Sequence, residues 1–248
     1  PDGKTIEPLH AHGVTMMSIG LMLKEDEAVI WRGPMIMGAL QQLLTQVDWG
    51  KLDVLIVDLP PGTGDIQLTL CQRTQLTGAL VVSTPQDVAL LDARKALDMF
   101  HKLKTPVLGL IENMSSYVCP NCGHEAHIFG HGGVAAEAEK LGLPFLGELP
   151  LALEVRMAGD AGVPIAAGEG PAAEAYALAI GHLSDRLRGG DPLIQAWPRH
   201  ERVLSRDERA ELQQLLAQRL SLSRLEIINL ILQILLYVLK SQRQLFII

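Results

Sequence analysis

Cysteine is scarce in this chain, with three in 248 residues. So small and odd a number excludes a disulfide framework and points to a reducing compartment, read here as the cytoplasm. A basic surplus is missing as well. The 21 Lys and Arg face 28 Asp and Glu, a formal net charge of −7, so little positive charge is left to neutralise phosphates and a nucleic-acid binder is excluded. No signal-peptide pattern opens the chain. It begins on the polar, turn-rich "PDGKTIEP", without Met, and is read as a processed or truncated product. Internal repeats and low-complexity tracts are absent. Apolar runs long enough for a membrane are lacking too. The tract "LEIINLILQILLYVL" at residues 225–239 reaches roughly 22 Å at about 1.5 Å per residue, short of a ~30 Å hydrocarbon core. A membrane span is not expected, and a helix packed against protein is the preferred reading of this tract.

What is present describes a globular α/β protein. Hydrophobic residues make up 48% and charged residues 20%, enough apolar material for a well-filled core. Four short apolar runs have the look of strands buried on both faces: "LDVLIVDL" (52–59), "ALVVST" (79–84), "PVLGLIEN" (106–113) and "PFLGEL" (144–149). None alternates in and out as a half-exposed strand does. Between them, residues 85–103 and 132–143 show helical periodicity. Strands alternating with helices imply βαβ units and a parallel sheet with right-handed crossovers. The pattern finishes with a helix over 173–190 closed by Gly-Gly. Residues 1–190 are therefore read as one domain and 191–248 as a helical appendage.

In a parallel sheet, ligands bind at the carboxyl ends of the strands. The stretch "LDVLIVDLPPGTGD" ends a buried strand in Asp58 and turns through Pro-Pro-Gly-Thr-Gly. An acid at that place suits a Walker B role, holding Mg²⁺ beside nucleotide phosphates. The glycines leave backbone N–H groups free to approach a phosphate. Pattern alone leaves a second reading open, an Asp that merely caps a βα loop.

Cys119 and Cys122, in "YVCPNCGHEAH", are spaced C-x-x-C, and no second such pair exists. An iron–sulfur cluster usually takes four thiolates. One chain supplies two, so a two-fold dimer would supply four, the same loop meeting itself across the axis. His124 and His127 offer another reading, a Cys₂His₂ zinc site within one chain. Four ligands within nine residues leave little chain to wrap a tetrahedron, since zinc fingers place a dozen or so residues between ligand pairs. A redox-inert surface pair is the third reading. Cys71, on a helix, is assigned no function. His127 and His131 are read as loop residues or supports of the cysteine turn.

Taken together, "VIWRGPMIMGALQQLLTQVDWGKLDVLIVDLPPGTGDIQLTL", "STPQDVALLDARKALDMF", "GLIENMSSYVCPNCGHEAHIFG" and "GELPLALEVR" resemble the Mrp/ApbC family of iron–sulfur cluster carrier ATPases, over roughly residues 4–187. The resemblance implies a P-loop NTPase-type, mostly parallel sheet flanked by helices, and ATP hydrolysis in the intact protein. It implies that Asp58 is the Walker B acid and that Gly62 senses the γ-phosphate. Asn113 would read the adenine edge, which suits an amide that both donates and accepts; its alternative is a turn cap. Pro150 would line the base pocket. The resemblance also implies a [4Fe–4S] cluster bridging a homodimer through Cys119 and Cys122, passed between cluster-assembly scaffolds and apo-proteins, with zinc as a possible substitute. The family's phosphate-binding loop and its strand would lie ahead of residue 1. No G-x-x-x-x-G-K-[ST] occurs in the sequence, so hydrolysis by this chain alone is not expected. A non-catalytic metal-binding dimerisation module is the alternative function.

Overall fold

The computed structural model describes residues 5–22, 33–52, 54–59, 64–74, 76–187 and 244–247. Its centre is a five-stranded sheet. The strands are β3 (Ile56–Asp58), β4 (Gly78–Ser83), β5 (Val107–Asn113), β8 (Phe145–Leu149) and β9 (Gln244–Ile247), in spatial order β3-β9-β4-β5-β8. β4, β5 and β8 run parallel, and β9 is antiparallel to both of its neighbours. All four strands expected from the apolar runs are thus present. β4 is buried throughout and β5 nearly so, which is why neither shows the alternation of a half-wet strand.

Helices cover both faces. Along β4, Leu80 and Val82 point to one side and join Tyr176, Ile180 and Leu183 of α6 (Pro171–Leu187). Ala79 and Val81 point to the other and join Leu97 and Phe100 of α3 (Asp87–Lys102), with Val134 and Ala138 of α4 (Gly133–Leu141). The side-chain period of two along a strand thereby feeds two separate apolar layers. α3 spaces its buried positions Leu90, Ala93, Leu97 and Phe100 three or four apart, the stripe that packs a helix on a sheet. Gly133 opens α4 where a Cβ would stand 2.7 Å from the Pro85 carbonyl oxygen. Only a residue without a side chain lets α4 start so close to the β4–α3 connection.

The remaining elements are α1 (Gly33–Thr45), α2 (Asp65–Arg73), α5 (Leu153–Asp160), two short 3₁₀ helices (Ile19–Met22 and Ile165–Ala167) and two small antiparallel ladders. One pairs β1 (Leu9–Ala11) with β2 (Val14–Met16), and the other pairs β6 (Tyr117–Val118) with β7 (Glu125–Ala126). The tract expected as a helix at 225–239 lies outside the described residues. Of the 191–248 segment, residues 244–247 are described, and they are strand rather than helix. Among the described residues, no helix is long and apolar enough to cross a membrane.

Candidate metal and nucleotide site

The parallel strands all deliver their carboxyl ends to one edge of the sheet, and the site residues gather along it. Asp58 closes β3, half-buried, one residue before the buried Leu59. Gly62 lies outside the described residues, with Pro60, Pro61 and Thr63. The chain resumes at Gly64, in extended conformation, and enters α2 at Asp65.

Asn113 closes β5 and is buried; its register partner on β8 is Leu149, the residue before Pro150. The two strand ends are laced together beyond that point. Ser115 N–H donates to the Leu149 carbonyl at 3.1 Å and Leu151 N–H to the Ser116 carbonyl at 2.8 Å. Asn113 and Pro150 therefore stand at the same corner. The Asn113 Oδ1 accepts from the Met114 N–H at 2.9 Å, where Met114 adopts φ 56°. That contact belongs to the turn-cap reading; it occupies the carbonyl side of the amide and holds the group at the strand tip.

Immediately after this corner the chain makes the β6–β7 hairpin, and the cysteines form its tip. Cys119 N–H donates to the His124 carbonyl and Gly123 N–H to the Cys119 carbonyl, both at 2.9 Å. Gly123, at φ 70°, takes the left-handed conformation that closes this turn and that glycine adopts without a steric penalty. Both thiols are free. The backbone N–H groups of Asn121 and Cys122, and then the Cys122 thiol, hold the Cys119 thiol below its ordinary value against a smaller desolvation effect. The turn thus favours the thiolate, the form that ligates metals. Cys71 is the opposite case, its thiol pushed up by burial on α2.

The histidines do not complete a zinc site around this pair. Among the described residues, no third His, Cys, Asp or Glu donor gathers with the two sulfurs within 4.8 Å. His127 instead donates from Nδ1 to the Ser115 carbonyl at 2.8 Å, tying the end of the hairpin to its beginning, and stacks on His131 with ring centroids 4.4 Å apart. The cysteine pair stands at the hairpin tip, Cys122 exposed and Cys119 half-buried.

A family model, that of the NUBPL iron-transfer P-loop NTPases, matches residues 1–183. The chain belongs to this family. Among curated proteins, the iron–sulfur cluster transfer protein NUBPL of Dictyostelium discoideum is 54% identical over 158 residues, covering 64% of this chain and 49% of the relative. The iron–sulfur cluster carrier protein of Escherichia coli K12 is 51% identical over 164 residues, 66% of this chain and 44% of its own. The mitochondrial iron–sulfur protein required for NADH dehydrogenase of Arabidopsis thaliana is 50% identical over 158 residues, covering 64% and 50%. The chain spans about half the length of the curated relatives it matches. A solved structure from Archaeoglobus fulgidus, a nucleotide-binding protein in complex with ADP and with Co found by PIXE, superposes with a TM-score of 0.54 at 37% identity, covering 64% of this chain and 62% of that one. Membership in the NUBPL family accounts for the α/β architecture.

Proposed function

We propose that this chain is the cluster-binding part of an iron–sulfur cluster carrier whose cargo is a [4Fe–4S] cluster held between two copies. The carrying observation is the unfinished thiolate pair. Cys119 and Cys122 sit on an exposed hairpin tip, backbone donors favour the Cys119 thiolate, and no third donor of the described residues joins them. A cluster needs more ligands than one tip offers. A second copy brings an identical tip if the contact is isologous. The names of the relatives support the same class of cargo. An exposed tip also suits hand-over, because an incoming apo-protein's thiolates can reach the cargo by ligand exchange. Free thiols and a ligand-exchange chemistry call for a reducing, cytoplasmic type of compartment.

ATP is the second substrate in this reading. Asp58 would hold Mg²⁺ and Gly62 the γ-phosphate, while Asn113 and Pro150 would form the base corner. The corner and the cysteine tip are covalently close, since five residues separate Asn113 from β6's last neighbour Cys119. The Ser115–Leu149 and Leu151–Ser116 hydrogen bonds stiffen that connection. A nucleotide that shifts the corner would therefore move the hairpin as a body.

The test is anaerobic reconstitution with iron and sulfide, read by absorption, metal analysis and native mass, with Cys119→Ala alongside. The expected result is one four-iron cluster per dimer, absent from the variant. Monomeric protein holding one zinc per chain would remove the carrier reading and leave the metal-binding module.

A further inference from the structure

We propose a second metal site, distinct from the cysteine tip: a divalent transition-metal ion held by Glu112, Glu148 and His131. The three ligand atoms lie within 4.8 Å of one another, and among the described residues this is the group of His, Cys, Asp or Glu that gathers so closely. Glu112 and Glu148 are register partners on the adjacent parallel strands β5 and β8, so their side chains leave the same face of the sheet side by side. His131, eighteen residues beyond β5 in the sequence count from Asn113, returns over them. Its Nδ1 is 3.8 Å from Glu112 Oε1 and 3.7 Å from Glu148 Oε2.

Those separations suit a shared ion. Metal–ligand bonds of about 2.1 Å to nitrogen and carboxylate oxygen place two donors 3.7 to 3.8 Å apart at a ligand–metal–ligand angle of about 125°. They are too long for direct hydrogen bonds. Three ligands on one side leave the other positions open to water.

The surroundings hold the ligands in place as metal sites require. Glu112 is completely buried, and each of its oxygens accepts one backbone N–H: Oε1 from Gly132 at 2.8 Å and Oε2 from Val134 at 2.9 Å. Each carboxylate oxygen has a second lone pair, so capping α4 does not exhaust Glu112. His127 stacks on the His131 ring and is itself tied to the Ser115 carbonyl.

Charge points the same way. Two carboxylates lie side by side, one of them buried, and among the described residues no Lys or Arg forms an ion pair with either; their ion-pair partner is His131 itself, at 3.8 and 3.7 Å. Capping explains Glu112, and an ion pair alone would bring His131 to both carboxylates, but at 3.8 and 3.7 Å the contacts are longer than direct charge-assisted hydrogen bonds. A divalent cation explains all three. Two carboxylates and one imidazole are a hard-to-borderline set that takes Mn²⁺, Fe²⁺, Co²⁺ or Zn²⁺, whereas the softer thiolate pair selects iron–sulfur clusters or Zn²⁺. The two sites would thus sort metals by ligand chemistry. This proposal does not rest on the carrier reading.

The test uses the full chain with both Cys119→Ser and Cys122→Ser, stripped of metal and without nucleotide. Mn²⁺ is titrated in, and the loss of the free-ion electron paramagnetic resonance signal reports binding. One saturable Mn²⁺ per chain is expected. His131→Ala, whose side chain is 46% exposed and so tolerates truncation, and Glu148→Gln should each weaken binding at least tenfold, the scale on which even outer-shell losses act. Binding that does not saturate, or that is equally tight in the His131→Ala and Glu148→Gln chains, overturns the proposal. Circular dichroism of each variant separates ligand loss from unfolding.

Discussion

Cys119 and Cys71 share a chain and a chemistry but not an environment, and the difference is a matter of single backbone groups. At Cys119, N–H donors two and three residues on point back at the sulfur and stabilise its anion; at Cys71, burial disfavours the anion. A group whose anion is favoured in the fold ionises at lower pH folded than unfolded. The rate of iodoacetamide alkylation at Cys119, followed in a Cys71→Ser, Cys122→Ser chain so that one thiol reports, should therefore rise with pH through an inflection below that of the same chain in urea. In a Cys119→Ser, Cys122→Ser chain, where Cys71 alone reports, the order should reverse. An inflection at Cys119 that is unmoved or higher in the folded chain would mean that the turn does not activate the thiol, and the ligand-ready character of the tip would be lost with it.

At the scale of elements, the junction between β4, α3 and α4 shows how tightly the site's frame is specified. Gly133 has its virtual Cβ 2.7 Å from the Pro85 carbonyl and 3.0 Å from Leu90 Cδ1. The carbonyl is backbone and cannot swing away, so Gly133→Ala must displace the start of α4. Overpacking of this kind costs about 1–3 kcal/mol, measured by urea unfolding. Because Gly132 and Val134 donate to Glu112, the same shift should pull that carboxylate from its place. A Gly133→Ala chain as stable as the parent would show that α4 has slack here. The elements themselves were readable from sequence where burial is two-sided. Apolar runs at 79–84, 106–113 and 144–149 became β4, β5 and β8, and the periodic segments became α3, α4 and α6. The C-x-x-C spacing was likewise legible, because a local loop needs only local residues. The Glu112–Glu148–His131 group was not, because strand register and a returning loop assemble it. Its one sequence signal is a glutamate inside each of two apolar runs, "LGLIEN" and "FLGEL"; at the buried Glu112 a carboxylate requires a partner. β9 had no signal either, since the four residues of "QLFI" carry too little pattern to separate a strand from the apolar tract before them.

For the molecule as a whole, the question is what joins Asp58 to the rest of the sheet. β3 pairs along Ile56–Asp58 with β9, and β9 pairs in turn with β4. Asp58 itself is the register partner of Leu245, and Leu245 is also the partner of Leu80 in the core of the sheet. The strand that carries the candidate Mg²⁺-holding acid is therefore connected to the buried centre through four residues near the far end of the sequence. An antiparallel strand fits between two strands that run the same way because each of its edges makes its own ladder, and neither ladder dictates the direction of the other. A chain lacking residues 244–248 loses both ladders at once and leaves facing edges on β3 and β4. Hydrogen exchange of a peptide spanning residues 54–59 should then accelerate by at least an order of magnitude relative to the full chain, about 1.4 kcal/mol of lost protection. A peptide spanning residues 107–113, inside β5 and paired on both sides by β4 and β8, should change little. If both peptides accelerate equally, the sheet unfolds as one body and β9 supports all of it. If neither does, β3 is held by something other than β9.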